Sequence, residues 1–570
     1  MIQIENVTFT YPGATEPTLK NLSLQVEEGD FLAVIGNNGC GKSTLCKTLN
    51  GLIPHFIVGD MEGSIQVDGL DTKTMEIGEI AQKVGYVYQD FENQIVCPTV
   101  LEDVSFACLN YAMPDYIERG KEALRMCGLQ KKTEDYIWQM SGGQKHLLAL
   151  AGVLALSPKV LILDEPIAQL DPAHAREIYD ILKQLNETYH KTIIVIEHHT
   201  EFIANYCKHV VLLKEGRVQW KLPAKEAMRR VEELQDSNIF PPQVTRAAYA
   251  MRQQGLGEQN GMLPTTIEEG MEFWKNFDSL TPNDRTEKNL SLSEVKEEQS
   301  VVRFCNVDAK YRAVKGADAY ILQDFSLDIK KGEKIALIGS NGAGKSTLMK
   351  LMTGLIKPAA GDVFLQERAL CDCQAEDLSG IISLVYQNPE EMFIKDCIQK
   401  DIEYAMRMRK VDDWEKRTEE LLEMFHLKEL AMKDGRLLSG GQMRRASLAV
   451  GIALKPEILL LDEPTANLDI ATRREIIKTL EELKDVTETV VIATHDMQLV
   501  CDWAERIIVL SGGTVMADGT KEEIFGDRKL WNLVGIRPPE IVEMGQRLGF
   551  GQPCFTVDEF VKRLTPAMAG

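Results

Sequence analysis

The chain has 570 residues and a net charge of −22, with 86 Asp and Glu against 64 Lys and Arg; this length allows about four domains. An apolar fraction of 44% and a charged fraction of 26% are those of an ordinary globular protein. The acidic balance, with no long Lys/Arg run to offset it, argues against a nucleic-acid or anionic-lipid surface. The longest apolar stretch, Leu147 to Leu156, falls far short of the ~18 residues of a membrane span, and the N-terminus has no signal-peptide pattern, so a cytoplasmic chain is expected. Twelve cysteines lie scattered without a C-x-x-C pair and read as reduced thiols, the close pair Cys371 and Cys373 included.

In chain order the sequence presents one unit and then presents it again, over residues 1 to about 225 and 301 to about 520, which marks an internal duplication. Alternating strands open each copy, Ile2 to Phe9 and Val301 to Val307, and end near Tyr11 and Tyr311. Each tyrosine either stacks on an adenine or covers the core at the strand end, and their equivalent positions favour stacking. A short apolar run, Phe31 to Ile35 or Lys334 to Ile338, then feeds a glycine loop. The first loop is Gly36, Asn37, Asn38, Gly39, Cys40, Gly41, Lys42, Ser43 and Thr44; the second is Gly339, Ser340, Asn341, Gly342, Ala343, Gly344, Lys345, Ser346 and Thr347. In such a loop the backbone N–H groups converge on phosphate oxygens at a helix N-terminus. The lysine places its charge at the β and γ phosphates, and the serine ligates magnesium. Two matches, each after a strand, predict two nucleotide sites.

Further along, Gln89 and Gln387 leave buried strands, where an amide can reach magnesium or the attacking water. Residues 90–140 and 388–438 have helical apolar spacing and read as a helical insert. Each insert ends in a serine cap and glycines that open a helix, Ser141, Gly142, Gly143 and Gln144, or Ser439, Gly440, Gly441 and Gln442, a second anion-binding helix start. Apolar strands then deliver Asp164 and Glu165, or Asp462 and Glu463. The first acid of each pair suits magnesium coordination and the second water activation. Gln169-Leu-Asp171 and Asn467-Leu-Asp469 follow, and one more strand in each copy leads to His198 or His495.

This order of motifs resembles that of the ATP-binding cassette (ABC) ATPases over the full length of both units. The resemblance implies an α/β fold with two tandem P-loop nucleotide-binding domains, each with a helical subdomain, that bind ATP and Mg2+. It further implies a head-to-tail sandwich in which Lys42, Ser43, Gln89, Asp164, Glu165 and His198 share a nucleotide with the second Ser-Gly-Gly-Gln. Lys345, Ser346, Gln387, Asp462, Glu463 and His495 would pair likewise with the first. Two positions depart from the family pattern: His199 stands where the second unit has Asp496, and Ile167 where it has Thr465. Neither removes a group on phosphate, so both sites are expected to hydrolyse ATP. Cys40, inside the first loop beside Lys42, is expected either to have a lowered pKa and react readily or to be an inert small residue.

The acids after each glutamine (Asp90, Glu92, Glu390, Glu391) are similar to those in the ATPases of energy-coupling factor (ECF) importers of vitamins and metals. So are the residues after the first signature and a short tail behind each cassette, Phe240-Pro-Pro with Leu263 to Glu269 and Ile536-Arg-Pro-Pro with Phe555 to Glu559. The expected domains are 1–225, an extension 226–279, a polar linker 280–300, 301–520, and an extension 521–570. The implied partners are a transmembrane coupling subunit and a substrate-binding membrane subunit, with the chain peripheral on the cytoplasmic membrane face and neither inserted nor bound to nucleic acid. The acids would then be candidate partners for arginines of a coupling helix. A twin-cassette ATPase of the ribosome and a fused ATPase of sugar import are the rival readings. An acidic linker in place of a basic one speaks against the first, and an intact second site against the second.

Overall fold

The computed structural model describes residues 1–168, 170–256, 261–275, 299–311, 319–466, 468, 470–483 and 487–564. The chain divides into two compact units, one formed by Met1–Pro282 with Thr556–Gly570 and the other by Asn283–Phe555. The tether expected over 280–300 lies, up to residue 298, outside the described residues.

The first unit contains β1 (Ile2–Thr10), β2 (Leu19–Val26), β3 (Phe31–Ile35), β4 (Asp60–Val67), β5 (Leu70–Asp71), β6 (Val84–Val87), β7 (Val160–Asp164), β8 (Thr192–Ile196), β9 (His209–Lys214) and β10 (Arg217–Pro223). One sheet runs β2-β1-β4-β5 and the other β10-β9-β3-β8-β7-β6. β1 is antiparallel to β2 and β4. Its alternation breaks at Asn6, where φ is 52° and the register shifts, and Gly63 opposite has no room for a side chain, because a Cβ there would lie 2.5 Å from the Asn6 carbonyl oxygen. β3, β7 and β8 are buried along their whole length, as a central parallel strand with both faces covered must be. Successive β3 residues therefore serve two cores. Leu32 and Val34 pack with Ile4, Phe9 and Ile194 between the sheets, while Phe31, Ala33 and Ile35 pack with Leu161, Val195 and the helices behind. Burying each of the larger side chains among these is worth ~1.5–3 kcal/mol.

The second unit repeats this order with β11 (Ser300–Tyr311), β12 (Ala319–Lys330), β13 (Lys334–Ile338), β14 (Ala360–Leu365), β15 (Arg368–Ala369), β16 (Ile382–Val385), β17 (Ile458–Asp462), β18 (Thr489–Ala493), β19 (Arg506–Ser511) and β20 (Thr514–Gly519). Its sheets run β12-β11-β14-β15 and β16-β17-β18-β13-β19-β20. Even the bulge recurs, at Asn306 with φ 47° facing Gly361.

Helices Val100–Asn110, Tyr116–Met126 and Gly142–Leu154 form the insert of the first unit, packed through Val104, Cys108, Leu124, Leu147 and Leu150. Ile398–Met408, Trp414–Met424 and Gly440–Gly451 form that of the second. A buried aspartate closes the loop into each insert: Asp103 accepts the N–H groups of Val96 and Cys97 at 2.8 and 2.9 Å, and Asp401 those of Ile394 and Lys395 at 2.8 Å each.

Behind each cassette the tails match in detail. Pro242 and Pro539 stand as N-caps of helices Gln243–Gln253 and Glu540–Arg547. Thr266 and Thr556 accept, through their hydroxyls, the N–H of Glu269 and Glu559 at 3.2 and 3.1 Å, starting helices Ile267–Lys275 and Val557–Leu564. The last of these helices groups with the first unit, where Phe560 meets Trp274 edge-on with ring centres 5.2 Å apart.

Candidate functional site

In each unit the central strand is flanked by two parallel strands, β3 by β8 and β9 and β13 by β18 and β19. The carboxyl ends of β3, β7 and β8 therefore open on one edge of the sheet, where open α/β sheets bind ligands. Gly36, Glu165 and His198 all lie there, and Gly339, Glu463 and His495 at the equivalent edge.

The glycine loops are cradles that leave no room for side chains at their first residue. A Cβ on Gly36 would sit 2.3 Å from the Leu213 carbonyl oxygen, and one on Gly339 2.3 Å from that of Leu510. Lys42 is buried and donates to the Gly36 and Asn37 carbonyls at 2.7 and 3.1 Å. Lys345 donates likewise to Gly339 and Ser340 at 2.7 and 3.2 Å. Asn37, Asn38 and Gly39 are exposed, whereas Gly41 and Thr44 are buried; Ser340 and Gly342 are exposed, Asn341 half-buried, and Gly344 and Thr347 buried. Of the two expectations for Cys40, the structure favours the inert small residue over the reactive thiol. Cys40 is 7% exposed among apolar side chains, and burial outweighs the Lys42 charge and raises its pKa. Ala343 occupies the same buried place in the second loop.

Tyr11 is half-buried, edge-on to Phe9 and hydrogen-bonded to the Thr44 hydroxyl at 3.0 Å. It thus packs on the core and lies beside the loop. Tyr311 ends β11, and its side chain lies outside the described residues.

The first acid of each pair meets the loop serine. Burial raises the Asp164 pKa, and Tyr86 and Ser43 both hydrogen-bond to its carboxylate, the Tyr86 hydroxyl at 3.0 Å. Asp462 is raised by burial in the same way and accepts from Ser346. A hydroxyl and one buried carboxylate are hard oxygen donors, and with phosphate oxygens and water they fit Mg2+. Among the described residues no group of three or more His, Cys, Asp or Glu could hold a metal.

Glu165 and Glu463 both adopt left-handed φ, 50° and 46°, a conformation that costs a non-glycine residue of order 1–3 kcal/mol and clusters at functional sites. Each is tied across the sheet edge through its N–H, Glu165 to Ile196 at 3.0 Å and Glu463 to Ala493 at 2.9 Å. The side chains then differ. Gln89 donates its amide to Glu165 Oε2 at 2.8 Å, and His198 Nε2 stands 3.2 Å from Oε1 but off line, so that it is buried without a hydrogen bond. In the second unit Glu463 Oε2 accepts the Thr494 hydroxyl at 3.0 Å and Oε1 meets His495 Nδ1 at 2.8 Å. The side chain of Gln387 is exposed; its main-chain oxygen accepts from Arg444 at 2.6 Å.

Sequence reasoning passed over Glu197, the residue before His198. It is buried and accepts the N–H of His198 and His199 at 2.7 and 2.9 Å, His199 Nδ1 at 2.8 Å, and the Tyr179 hydroxyl at 2.8 Å. Asp496 does the comparable work in the second unit, capping helix Met497–Trp503 through Leu499 N–H at 3.0 Å, accepting from Thr465 at 2.9 Å and pairing with Arg473. An acid ending an otherwise apolar strand, Ile193 to Ile196, was the available signal.

The signature serines cap their helices. Gln144 N–H donates to Ser141 Oγ at 3.3 Å and Ser141 N–H to Gln144 Oε1 at 3.2 Å; Ser439 N–H donates to Gln442 Oε1 at 3.3 Å. Ser141, Gly142, Ser439 and Gly440 are exposed, whereas a Cβ on Gly143 would lie 2.6 Å from the His174 ring and one on Gly441 2.5 Å from Thr472. His174 is itself held by Asp171 at 2.8 Å; Gln169, Asn467 and Asp469 lie outside the described residues. Of the acids after the glutamines, Glu92 pairs with Lys145 at 2.7 Å and Asp90 accepts from Asn93 at 2.6 Å, while Glu390 and Glu391 are exposed.

The family model described as ABC transporter matches residues 19–168 and 322–466. A protein of Methanosarcina acetivorans, named among the ATP-binding proteins of ABC transporters, is 30% identical over 99% of this chain and 91% of its own length. One so named from Streptococcus mutans is 32% identical over 96% of each chain. Among solved structures, cbiO1 of Clostridium perfringens, described as part of the ABC transporter complex cbiONQ, is 33% identical over 42% of this chain and 94% of its own, with a TM-score of 0.38.

Proposed function

This chain belongs to the ABC transporter family, and we propose that it is the ATP-hydrolysing energy-coupling subunit of an ECF-type importer. Its cassettes are ATPases that use ATP with Mg2+; the importer branch and the role of each residue are our reading. The observation that carries the branch is the doubled tail, a Pro-capped helix followed by a Thr-capped helix behind each cassette. A vitamin, a vitamin precursor or a transition metal ion is the cargo class, with a transmembrane coupling subunit and a substrate-binding membrane subunit as partners. In this reading the chain works peripherally, on the cytoplasmic face of the membrane, where its partner subunits would hold it.

Within each cassette the loop N–H groups and Lys42 or Lys345 hold the phosphate chain. Ser43 with Asp164, and Ser346 with Asp462, would hold Mg2+, which would supply charge neutralisation on the phosphates. Glu165 or Glu463 orients the attacking water and takes its proton. The water oxygen bonds to the γ phosphorus as the bond to the bridging oxygen breaks, and ADP leaves with that electron pair. Gln89 holds the Glu165 carboxylate in place, and His198 and His495 stand ready to donate to the γ phosphate.

Replacement of Asp90, Glu390 and Glu391 by Ala in the full chain tests the partner. The expected result is loss of co-purifying membrane subunits in mild detergent with the ATPase of the isolated chain retained. Undiminished co-purification would refute the docking assignment.

A further inference from the structure

The two cassettes differ at the residue before the histidine, Glu197 in one and Thr494 in the other, and the difference reaches the carboxylate proposed as base. In the second unit both oxygens of Glu463 are engaged, Oε2 by the Thr494 hydroxyl and Oε1 by His495 Nδ1. The Thr494 hydroxyl is fixed in turn by the N–H of Asp496 at 3.0 Å. Glu463 and His495 therefore form a closed network in which each carboxylate oxygen already accepts a side-chain hydrogen bond that competes with a water proton. In the first unit the longer Glu197 side chain turns the other way. It gathers the main-chain N–H groups of His198 and His199 and the Tyr179 hydroxyl. Glu165 then keeps one bond, from Gln89 to Oε2; His198 Nε2 stands 3.2 Å from Oε1 but is not aligned to donate to it.

We propose that Thr494 and Glu197 are positioning residues that set the availability of the catalytic glutamate: Thr494 locks Glu463 to His495, Glu197 leaves Glu165 open, and the first cassette hydrolyses ATP faster than the second. This rests on the assignment of Glu165 and Glu463 as the groups that accept the water's proton. The same bonds form and break in both cassettes; in the second, a hydrogen bond from Thr494 or His495 to the carboxylate must yield before the proton can be taken.

The test is single-turnover hydrolysis by the full chain saturated with ATP and Mg2+, followed by rapid quench. Two phases are expected, the slow one absent in Glu463→Gln and the fast one absent in Glu165→Gln. Thr494→Val, which keeps the buried shape and deletes the hydroxyl, is expected to speed the slow phase about tenfold, equivalent to about 1.4 kcal/mol, with its amplitude and the ATP concentration for half-saturation unchanged. Thr494→Ser, which restores the hydroxyl, is expected to return the slow rate. A slow phase that belongs to Glu165, a single phase, or a slow phase that Thr494→Val leaves unchanged or slows would overturn the proposal. If neither Gln variant alters either phase, it is the assignment of the glutamates as bases that fails.

Discussion

Removing the Glu197 carboxylate is the perturbation whose cost the structure allows to be worked out most fully. Four donors converge on it, three of them on Oε1 and the Tyr179 hydroxyl on Oε2. In Glu197→Ala the His199 ring, half exposed, can turn to water. The Tyr179 hydroxyl, on a side chain with no exposure, cannot, and the His198 and His199 N–H groups, both in part-buried bonds, can only in part. A buried donor left without an acceptor costs about 1–3 kcal/mol, so with the hydroxyl counted in full and the two N–H groups in part the first cassette should lose roughly 2–6 kcal/mol. Tyr179→Phe alone removes one hydrogen bond for about 1 kcal/mol, but in the Glu197→Ala background it removes a stranded hydroxyl and costs less or nothing. A coupling energy of about 1–3 kcal/mol is therefore expected between the two positions. Hydrogen exchange at the amides of β8 and of helix Pro172–Glu187 reads the opening free energy of this region in the full chain.

The pH dependence adds a sign. Burial pushes the Glu197 pKa up, but the His199 side chain, main-chain N–H groups and Tyr179 together outweigh it and hold the carboxyl below its ordinary 4.5. The stability it contributes is thus present above pH 4.5 and lost as pH falls through the lower folded value, and parent and Ala variant should converge in acid. Additivity within ~0.5 kcal/mol, or a gap that widens in acid, would refute this reasoning.

Glu165→Gln and Glu463→Gln should each slow turnover at their own site on the order of a hundred- to a thousandfold in a rapid-quench assay, and a site that keeps its rate is idle or uses another base. In the second cassette, His495 is raised above 6.5 and Glu463 lowered below 4.5, burial opposing both shifts and their mutual attraction prevailing. Their contribution to stability is full between pH 4.5 and 6.5, is lost as pH rises through the folded histidine value or falls through the folded glutamate value, and should disappear from the melting profile of His495→Gln. An alkylating reagent should label exposed Cys371 well before buried Cys40, with ATPase activity retained while Cys40 is unmodified; rapid inactivation traced to Cys40 by peptide mapping would contradict its burial. Gly143→Ala should disturb the signature helix start through the clash with His174, read as lost ATPase, and pairing it with His174→Ala should restore part of the rate.

The duplication, the strand before each glycine loop and the acids at the ends of β7 and β17 were legible in the sequence because each motif is local, with its chemistry carried by neighbours in the chain. What stayed hidden depends on which way a side chain turns at the end of a strand. Glu197 and Thr494 occupy the same position and differ by which neighbours they gather, Tyr179 from 18 residues away or Glu463 from 31. Tyr86 lies in β6, and only the parallel pairing with β7 brings its hydroxyl to Asp164. Lys145 neutralises Glu92 across 53 residues, which no local pattern announces. For Cys40 the two expectations stayed open because proximity to Lys42 is visible in sequence and the apolar packing around its sulfur, which decides between them, is not.

Affinity purification of the full chain from its native cells in mild detergent, with identification of stoichiometric partners by mass spectrometry, tests the energy-coupling assignment most directly. Small polytopic membrane proteins, lost when Asp90, Glu390 and Glu391 are replaced, are the predicted result. Ribosomal proteins in their place would contradict the assignment and leave a paired ATPase with a different task.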